Sequence, residues 1–266
     1  MTIRIIELHP LLLIVCATSY VFGWFLELLC LLVIVLIHEF GHVLTAKYFG
    51  WNVTRVVIWP FGGVMETSDY YNRPLKEEWL VTIAGPLQHI WLYAVIIVLD
   101  KLWLNDALSL LLLWMNSVIL VFNLIPVLPL DGGRLLLLFL QQYFSFYRTI
   151  IMMAIWSIVF LLFLNGILWI NQLYSLQLMG ISIFLILDNW FLWRQRDRFL
   201  LKHLLSRHLR RQVKRDHISI LRANTNYSLS NIVKEFKRNH YHYVYIEDED
   251  LLSEDDCLTG LFGQAK

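Results

Sequence analysis

Residues 24–47 read WFLELLCLLVIVLIHEFGHVLTAK, an apolar run broken by Glu27 and by the cluster His38-Glu39-Phe40-Gly41-His42. The run has the length of a bilayer-spanning helix, about 20 residues at about 1.5 Å each. On a helix His38 and His42 stand four apart and project from one face on consecutive turns. Two neutral imidazoles so spaced chelate one Zn²⁺. Glu39, beside the first histidine, suits a base toward a metal-activated water. An ionisable side chain at membrane depth is costly and marks function by default. Three of them within five residues are hard to explain as packing.

Composition agrees with a membrane protein. The chain has 266 residues, 58% hydrophobic and 16% charged, against about 25% charged in soluble domains. The net charge of +1 conceals an asymmetry, with a basic run at 194–215 and acidic clusters at 247–250 and 254–256. Cys16, Cys30 and Cys257 form no CxxC pair, so neither a disulfide scaffold nor a cysteine zinc site is indicated. The first apolar stretch runs into the second without a small-residue cleavage site and reads as a retained anchor.

Working outward from 24–47, apolar segments of spanning length recur at 8–22, 78–99, 107–122 resuming at 131–144, 149–170 and 175–193. The expectation is an all-α polytopic membrane protein of about six transmembrane helices. Its membrane domain covers 1–193, a basic linker helix 194–216, and a small α+β unit 217–266. Six spans put both termini on one side. Arg4, the 47–77 loop, Arg148 and the basic run then share that side and only Lys101 the other, so the termini are cytoplasmic by the positive-inside rule. Leu200, Leu201, Leu204, Leu205 and Leu209 recur at helical spacing in the basic run. This fits a helix along anionic headgroups better than direct nucleic-acid binding. The last unit reads as a strand at 218–221, a helix at 228–237, a strand at 241–247, an acidic loop, and an element at 257–262.

The stretch WNVTRVVIWPFGGVME (51–66) suggests two short strands joined at Pro60, Phe61, Gly62 and Gly63. One reading is a re-entrant β-hairpin beside the metal, with an edge able to pair with an extended substrate. The other is an interfacial loop. A catalytic zinc wants three protein ligands, and HEFGH supplies two. Asp131 is the leading third, because Pro126 and Pro129 break its span and Gly132-Gly133 follow it. It also suits the N-cap of the resuming helix. His89, mid-span after Pro86, is a packing residue or a reserve ligand, and Glu66 is a further reserve. Asn123 suits a hydrogen bond to substrate backbone or one to its own broken helix.

The motif pair His38–His42 and Asn123–Gly133, with Gly62-Gly63 and Ala84-Gly85-Pro86 between them, resembles the site-2 protease family of intramembrane zinc metalloproteases. By that resemblance His38, His42 and Asp131 bind one zinc ion and Glu39 is the catalytic base; Phe61, Gly62, Gly63 and Asn123 are the candidate substrate contacts, read from the hairpin and the broken span. The layout is similar to a subgroup of sporulation proteases of endospore-forming bacteria. The resemblance implies a membrane-associated pro-sigma-factor type of substrate, regulated intramembrane proteolysis, inhibitory membrane partners, and the outer forespore membrane as location. Residues 217–266 resemble part of a cystathionine-β-synthase (CBS) domain, which implies self-association and an adenine nucleotide such as ATP. Two other classes compete. A zinc-binding transporter calls for inverted hydropathy repeats and polar residues along several spans; neither stands out. A non-catalytic scaffold would have lost Glu39 or a ligand, and all are present.

Overall fold

The computed structural model describes residues 6–59, 62–67, 69–102, 104–173, 175–209, 217–223, 228–246 and 251–263. It falls into two compact units, Met1–Ile125 and Pro126–Lys266.

The first unit runs β1 (Ile6–Leu8), α1 (Pro10–Phe22), α2 (Phe25–Tyr48), β2 (Val53–Trp59), β3 (Gly62–Thr67), α3 (Leu75–Leu102) and α4 (Asp106–Asn123). Helix α1 begins where His9 Nδ1 accepts the Leu11 N–H at 3.2 Å, with Pro10 supplying the pre-set φ of a first helical residue. Gly23 ends it at φ 79°, in the left-handed region that glycine tolerates. Small residues draw α2 and α3 together. A Cβ at Gly41 would strike the Ala84 carbonyl, and one at Gly85 would strike the His42 and His38 rings. Ile34, Leu92 and Met115 then close a core among α2, α3 and α4.

The 51–66 stretch folds as the expected hairpin. Strands β2 and β3 pair antiparallel, with Val56 opposite Met65 and Ile58 opposite Gly63. A core of Ala46, Trp51, Val53, Met65 and Val81 fastens the hairpin to α2 and α3. Strand β1, which the sequence did not disclose, joins β2 in parallel and leaves β3 at the other edge. Arg55 ties the three strands together, reaching Glu7 and Glu66 at 2.7 Å each. That exposed network is screened by solvent and adds little to stability.

The second unit opens on a non-helical segment and continues with α5 (Asp131–Leu140), α6 (Phe146–Ile170), α7 (Leu176–Arg194) and α8 (Arg196–Leu209). Irregular backbone at membrane depth needs protein partners for its polar groups, and α6 and α7 supply them. Trp156 donates to the Pro126 carbonyl at 3.0 Å, Ser157 accepts the Leu128 N–H at 3.1 Å, and Asn189 donates to the Leu128 carbonyl at 2.5 Å. Asp131 is not the N-cap of α5. Leu130 holds that position, and Asp131 is the first helical residue, where its charge faces the positive end of the helix.

Helices α2, α3, α4, α6 and α7 are the five long and apolar enough to cross a membrane among the described residues. The expected first span is a 13-residue helix, α1, about 20 Å long against a hydrocarbon core of about 30 Å.

The tail comprises β4 (His217–Ala223), α9 (Leu229–Val233), β5 (His240–Ile246), β6 (Leu252–Ser253) and α10 (Glu254–Phe262). Strands β4 and β5 run parallel across a crossover carrying α9, and β6 returns antiparallel. The expected acidic loop contains the start of α10, where Ser253 and Asp256 form a reciprocal capping box. The basic helix α8 is more than a linker. Leu200 and Leu204 are buried, while Leu201, Leu205 and Leu209 stay exposed. Residues 210–216 of the expected linker lie outside the described residues.

Candidate metal centre

Helix α2 delivers His38, Glu39 and His42 to a buried face, with exposures of 3%, 7% and 5%. The two histidine Nε2 atoms lie 3.1 Å apart. Their other nitrogens are engaged elsewhere. His42 Nδ1 is 2.7 Å from the Val81 carbonyl, which can only accept, so that nitrogen carries the proton. His42 Nε2 is therefore a lone-pair nitrogen in the neutral ring. His38 Nδ1 lies 3.0 Å from His89 Nε2. Two Zn–N bonds of about 2.0–2.1 Å meeting near the tetrahedral angle would put their nitrogens about 3.3 Å apart. The observed separation fits a pair of zinc ligands, and the neutral imidazole donors suit that ion.

Gly85 makes this face possible. Its missing side chain is the space the two rings occupy. Gly63 does the same for Glu39, since a Cβ there would overlap the glutamate side chain. The edge strand β3 thus passes directly beside the candidate base. Gly62 is paired with Trp59 at the hairpin turn, and Phe61 lies outside the described residues. Asn123, the last residue of α4, donates from Nδ2 to the Ile119 carbonyl at 3.0 Å.

Three other carboxylates of this unit are occupied structurally. Glu66 pairs with Arg55. Asp69 accepts the Asn52 N–H at 2.6 Å and an Arg73 guanidinium N–H at 3.3 Å. Glu77 accepts from the Trp51 indole at 3.0 Å. His89 is fully buried and meets His38 on its Nδ1 side, away from the nitrogen that faces His42. In the second unit Asp131 is buried at the start of α5, with Gly133 packed on the backbone of Val127 and Leu128. Sequence reasoning missed Asn116, a fully buried polar residue in mid-span that bonds His89. Its depth in an apolar helix was the available signal.

The tail carries its own buried polar cluster. Arg207 of α8 donates to both carboxylate oxygens of Glu254 at 2.9 Å and to the carbonyls of Lys237 and His240 at 2.8 and 2.7 Å. His242 donates from Nδ1 to Glu254 at 3.1 Å and accepts the Lys237 N–H on Nε2 at 3.1 Å. Burial holds the His242 pKa below its ordinary value, against the pull of the Glu254 hydrogen bond. Burial, with Asp256 and Glu254 nearby, pushes the Cys257 thiol up to about 11.

Residues 26–104 match the model of peptidase family M50. The chain is 34% identical to stage IV sporulation protein FB of Bacillus subtilis over 98% of its own length and 92% of that protein. It is 31% identical to the zinc metalloprotease MJ0392 of Methanocaldococcus jannaschii, over 47% of this chain and 38% of that protein. The solved site-2 protease of Methanocaldococcus jannaschii aligns at 27% identity with a TM-score of 0.49, covering 74% of this chain and 92% of that one.

Proposed function

This chain belongs to peptidase family M50 and is an integral-membrane zinc metalloprotease of the site-2 type, and on that premise we propose that it cleaves a membrane-associated pro-sigma-factor type of precursor during sporulation. The likeness to the sporulation protein runs through the tail as well as the membrane helices, and it supports that choice of substrate. The observation that carries the chemistry is the paired Nε2 atoms of His38 and His42, with Glu39 beside them against the edge strand.

In this reading His38, His42 and Asp131 hold the zinc. Asp131 is the third ligand because it is a buried carboxylate at a helix start, after a segment whose backbone is satisfied by α6 and α7. When bound, zinc supplies Lewis acidity that polarises the scissile carbonyl and acidifies water. Glu39 takes a proton from the attacking water as its oxygen bonds to the carbonyl carbon. The same carboxyl returns the proton to the nitrogen as the C–N bond breaks, leaving a carboxylate and an amine. Strand β3, at Gly62 and Gly63, offers its open edge to the extended substrate backbone. Phe61 and Asn123 complete the proposed substrate approach.

The β4–α9–β5–β6–α10 order supports a CBS-like tail, with adenine nucleotide as its proposed ligand and pairing of two tails as its assembly. The positive charges around 194–215 support a cytoplasmic tail. The outer forespore membrane and inhibitory membrane partners follow from the same assignment. The test is co-expression with a pro-sigma-factor precursor. Processing is expected with the natural chain and lost in Glu39→Gln. No processing of that precursor, with cleavage of another membrane peptide retained, would reject the substrate and keep the protease.

A further inference from the structure

We propose that His89 and Asn116 are positioning residues, a two-member hydrogen-bond relay that fixes the tautomer and ring angle of His38 for zinc. The proposal rests on His38 being a zinc ligand. It begins at a group whose role is unambiguous. The side-chain amide of Asn116 donates from Nδ2 to the His89 backbone carbonyl at 3.2 Å, and a carbonyl can only accept. This fixes which end of the Asn116 amide is nitrogen. Its Oδ1 therefore accepts, 2.7 Å from His89 Nδ1, and His89 Nδ1 carries a proton. In the neutral ring His89 Nε2 is then an acceptor. The partner at 3.0 Å is His38 Nδ1, which must donate. His38 Nε2 is left as the lone-pair nitrogen, and it is the one that faces His42.

The two histidines of the motif are thus set by different means. A backbone carbonyl of α3, that of Val81, orients His42 in one step. His38 sits a turn earlier, and a chain of two buried side chains from α3 and α4 orients it in two steps. His89 and Asn116 are both fully buried in an apolar bundle, where an unmatched polar group would be costly. Pairing them satisfies both and passes one defined proton arrangement to the metal face. The carbonyl or carboxylate that usually stands behind a ligating histidine is replaced here by a histidine–amide pair. Helix α4 contributes to the metal face through this relay.

The test measures Zn²⁺ affinity of the full-length chain in detergent, by competition with a chromophoric chelator after metal removal. Absorption of the Co²⁺-loaded chain reports coordination geometry independently of turnover. In His89→Leu, Zn²⁺ affinity falls about 10- to 100-fold, the usual cost of losing such a partner, and the Co²⁺ spectrum changes. Asn116→Ala shifts both in the same direction by less. Adding Asn116→Ala to His89→Leu causes no further loss, because the two act in series. His89→Gln recovers part of the affinity, since an amide can still accept from His38 and donate to Asn116. Equal loss in His89→Leu and His89→Gln would overturn the relay in favour of simple packing, as would His89→Leu with affinity within about twofold of the natural chain. If His89→Leu fails to fold, Asn116→Ala with unaltered Zn²⁺ affinity overturns it instead. A natural chain that takes up no stoichiometric Zn²⁺ would reject the metal assignment itself, and the relay with it.

Discussion

The molecule has two buried polar clusters made of similar residues and put to different ends. In the tail, Arg207, Glu254 and His242 close on one another and on the backbone of 237–242, and both nitrogens of His242 find complementary partners. Among the membrane helices, the Nδ1 atoms of His38 and His42 find partners of that kind, and their Nε2 atoms turn toward each other at 3.1 Å. The tail cluster is complementary in itself and holds elements together. The helix cluster brings two lone pairs to one point, an arrangement that favours a cation. A buried polar group is therefore better judged by where its donors and acceptors lead than by its burial.

The largest separation between the clusters should come from removing their central carboxylates. Glu39→Gln keeps the shape of the site and removes its base. Turnover should fall at least about 10²- to 10⁴-fold, the usual worth of acid–base catalysis, while zinc content stays stoichiometric. A variant that keeps substantial activity would move the base elsewhere. In the tail the corresponding change, Glu254→Gln, should leave catalysis of a short membrane peptide nearly unchanged.

Next in size is Arg207→Met, which strands Glu254 at 0% exposure without its ion-pair partner. Breaking a buried pair from one side costs about 3–5 kcal/mol. The tail should loosen, and Cys257, buried at 1% exposure, should react faster with a thiol reagent in a background lacking Cys16 and Cys30. Arg207→Met combined with Glu254→Leu should recover much of the protection. Unchanged Cys257 reactivity in the single variant would show that the cluster does not hold the tail.

Gly85→Ala is smaller in chemistry and close in effect. The added methyl enters the space of the His38 and His42 rings, and overpacking of this kind costs about 1–3 kcal/mol. Zinc affinity should fall about tenfold or more. Gly166→Ala, where the methyl meets open space on α6, should leave zinc affinity unchanged and favour the helix slightly. Equal behaviour of the two would detach the α2–α3 contact from the metal face.

Much of this was legible in the sequence because the membrane makes local signals strong. Hydropathy marked every long apolar helix, and the cost of charge at depth singled out His38, Glu39 and His42. The alternation at Val53–Ile58 and the glycines at 62 and 63 suggested the hairpin, with an interfacial loop as the alternative. What stayed hidden depends on distant partners. Strand β1 pairs with residues about fifty positions later, so no local pattern announces it. His89 read as either packing or a reserve ligand, because its role is decided by Asn116 on another helix. Ser157 and Asn189 bond the backbone of Leu128, 29 and 61 positions away, a pairing that no local pattern announces. Ser253 followed three residues later by Asp256 starts α10, though the acidic run suggested a loop.

The smallest expected difference lies in pH. The folded tail holds the His242 pKa below its ordinary 6.5, chiefly through burial, with Arg207 and His240 adding to the shift and Glu254 opposing it. The sign follows directly. The unfolded tail binds the proton more readily than the folded one, so stability is fully present above about 6.5 and is lost as pH falls through the folded value. Asp256, held below the usual carboxylate range by its hydrogen bonds with Ser253, remains ionised through that window. Helix α10 therefore keeps its cap while His242 titrates, and the two effects do not overlap. Amide hydrogen exchange along β5, corrected for the pH dependence of the intrinsic rate, should show protection weakening between pH 7 and pH 5. In His242→Gln the decline over that interval should be shallower. A decline of the same steepness in both chains would place the pH sensitivity outside the Arg207–Glu254–His242 cluster and remove the one way in which that closed cluster responds to its surroundings.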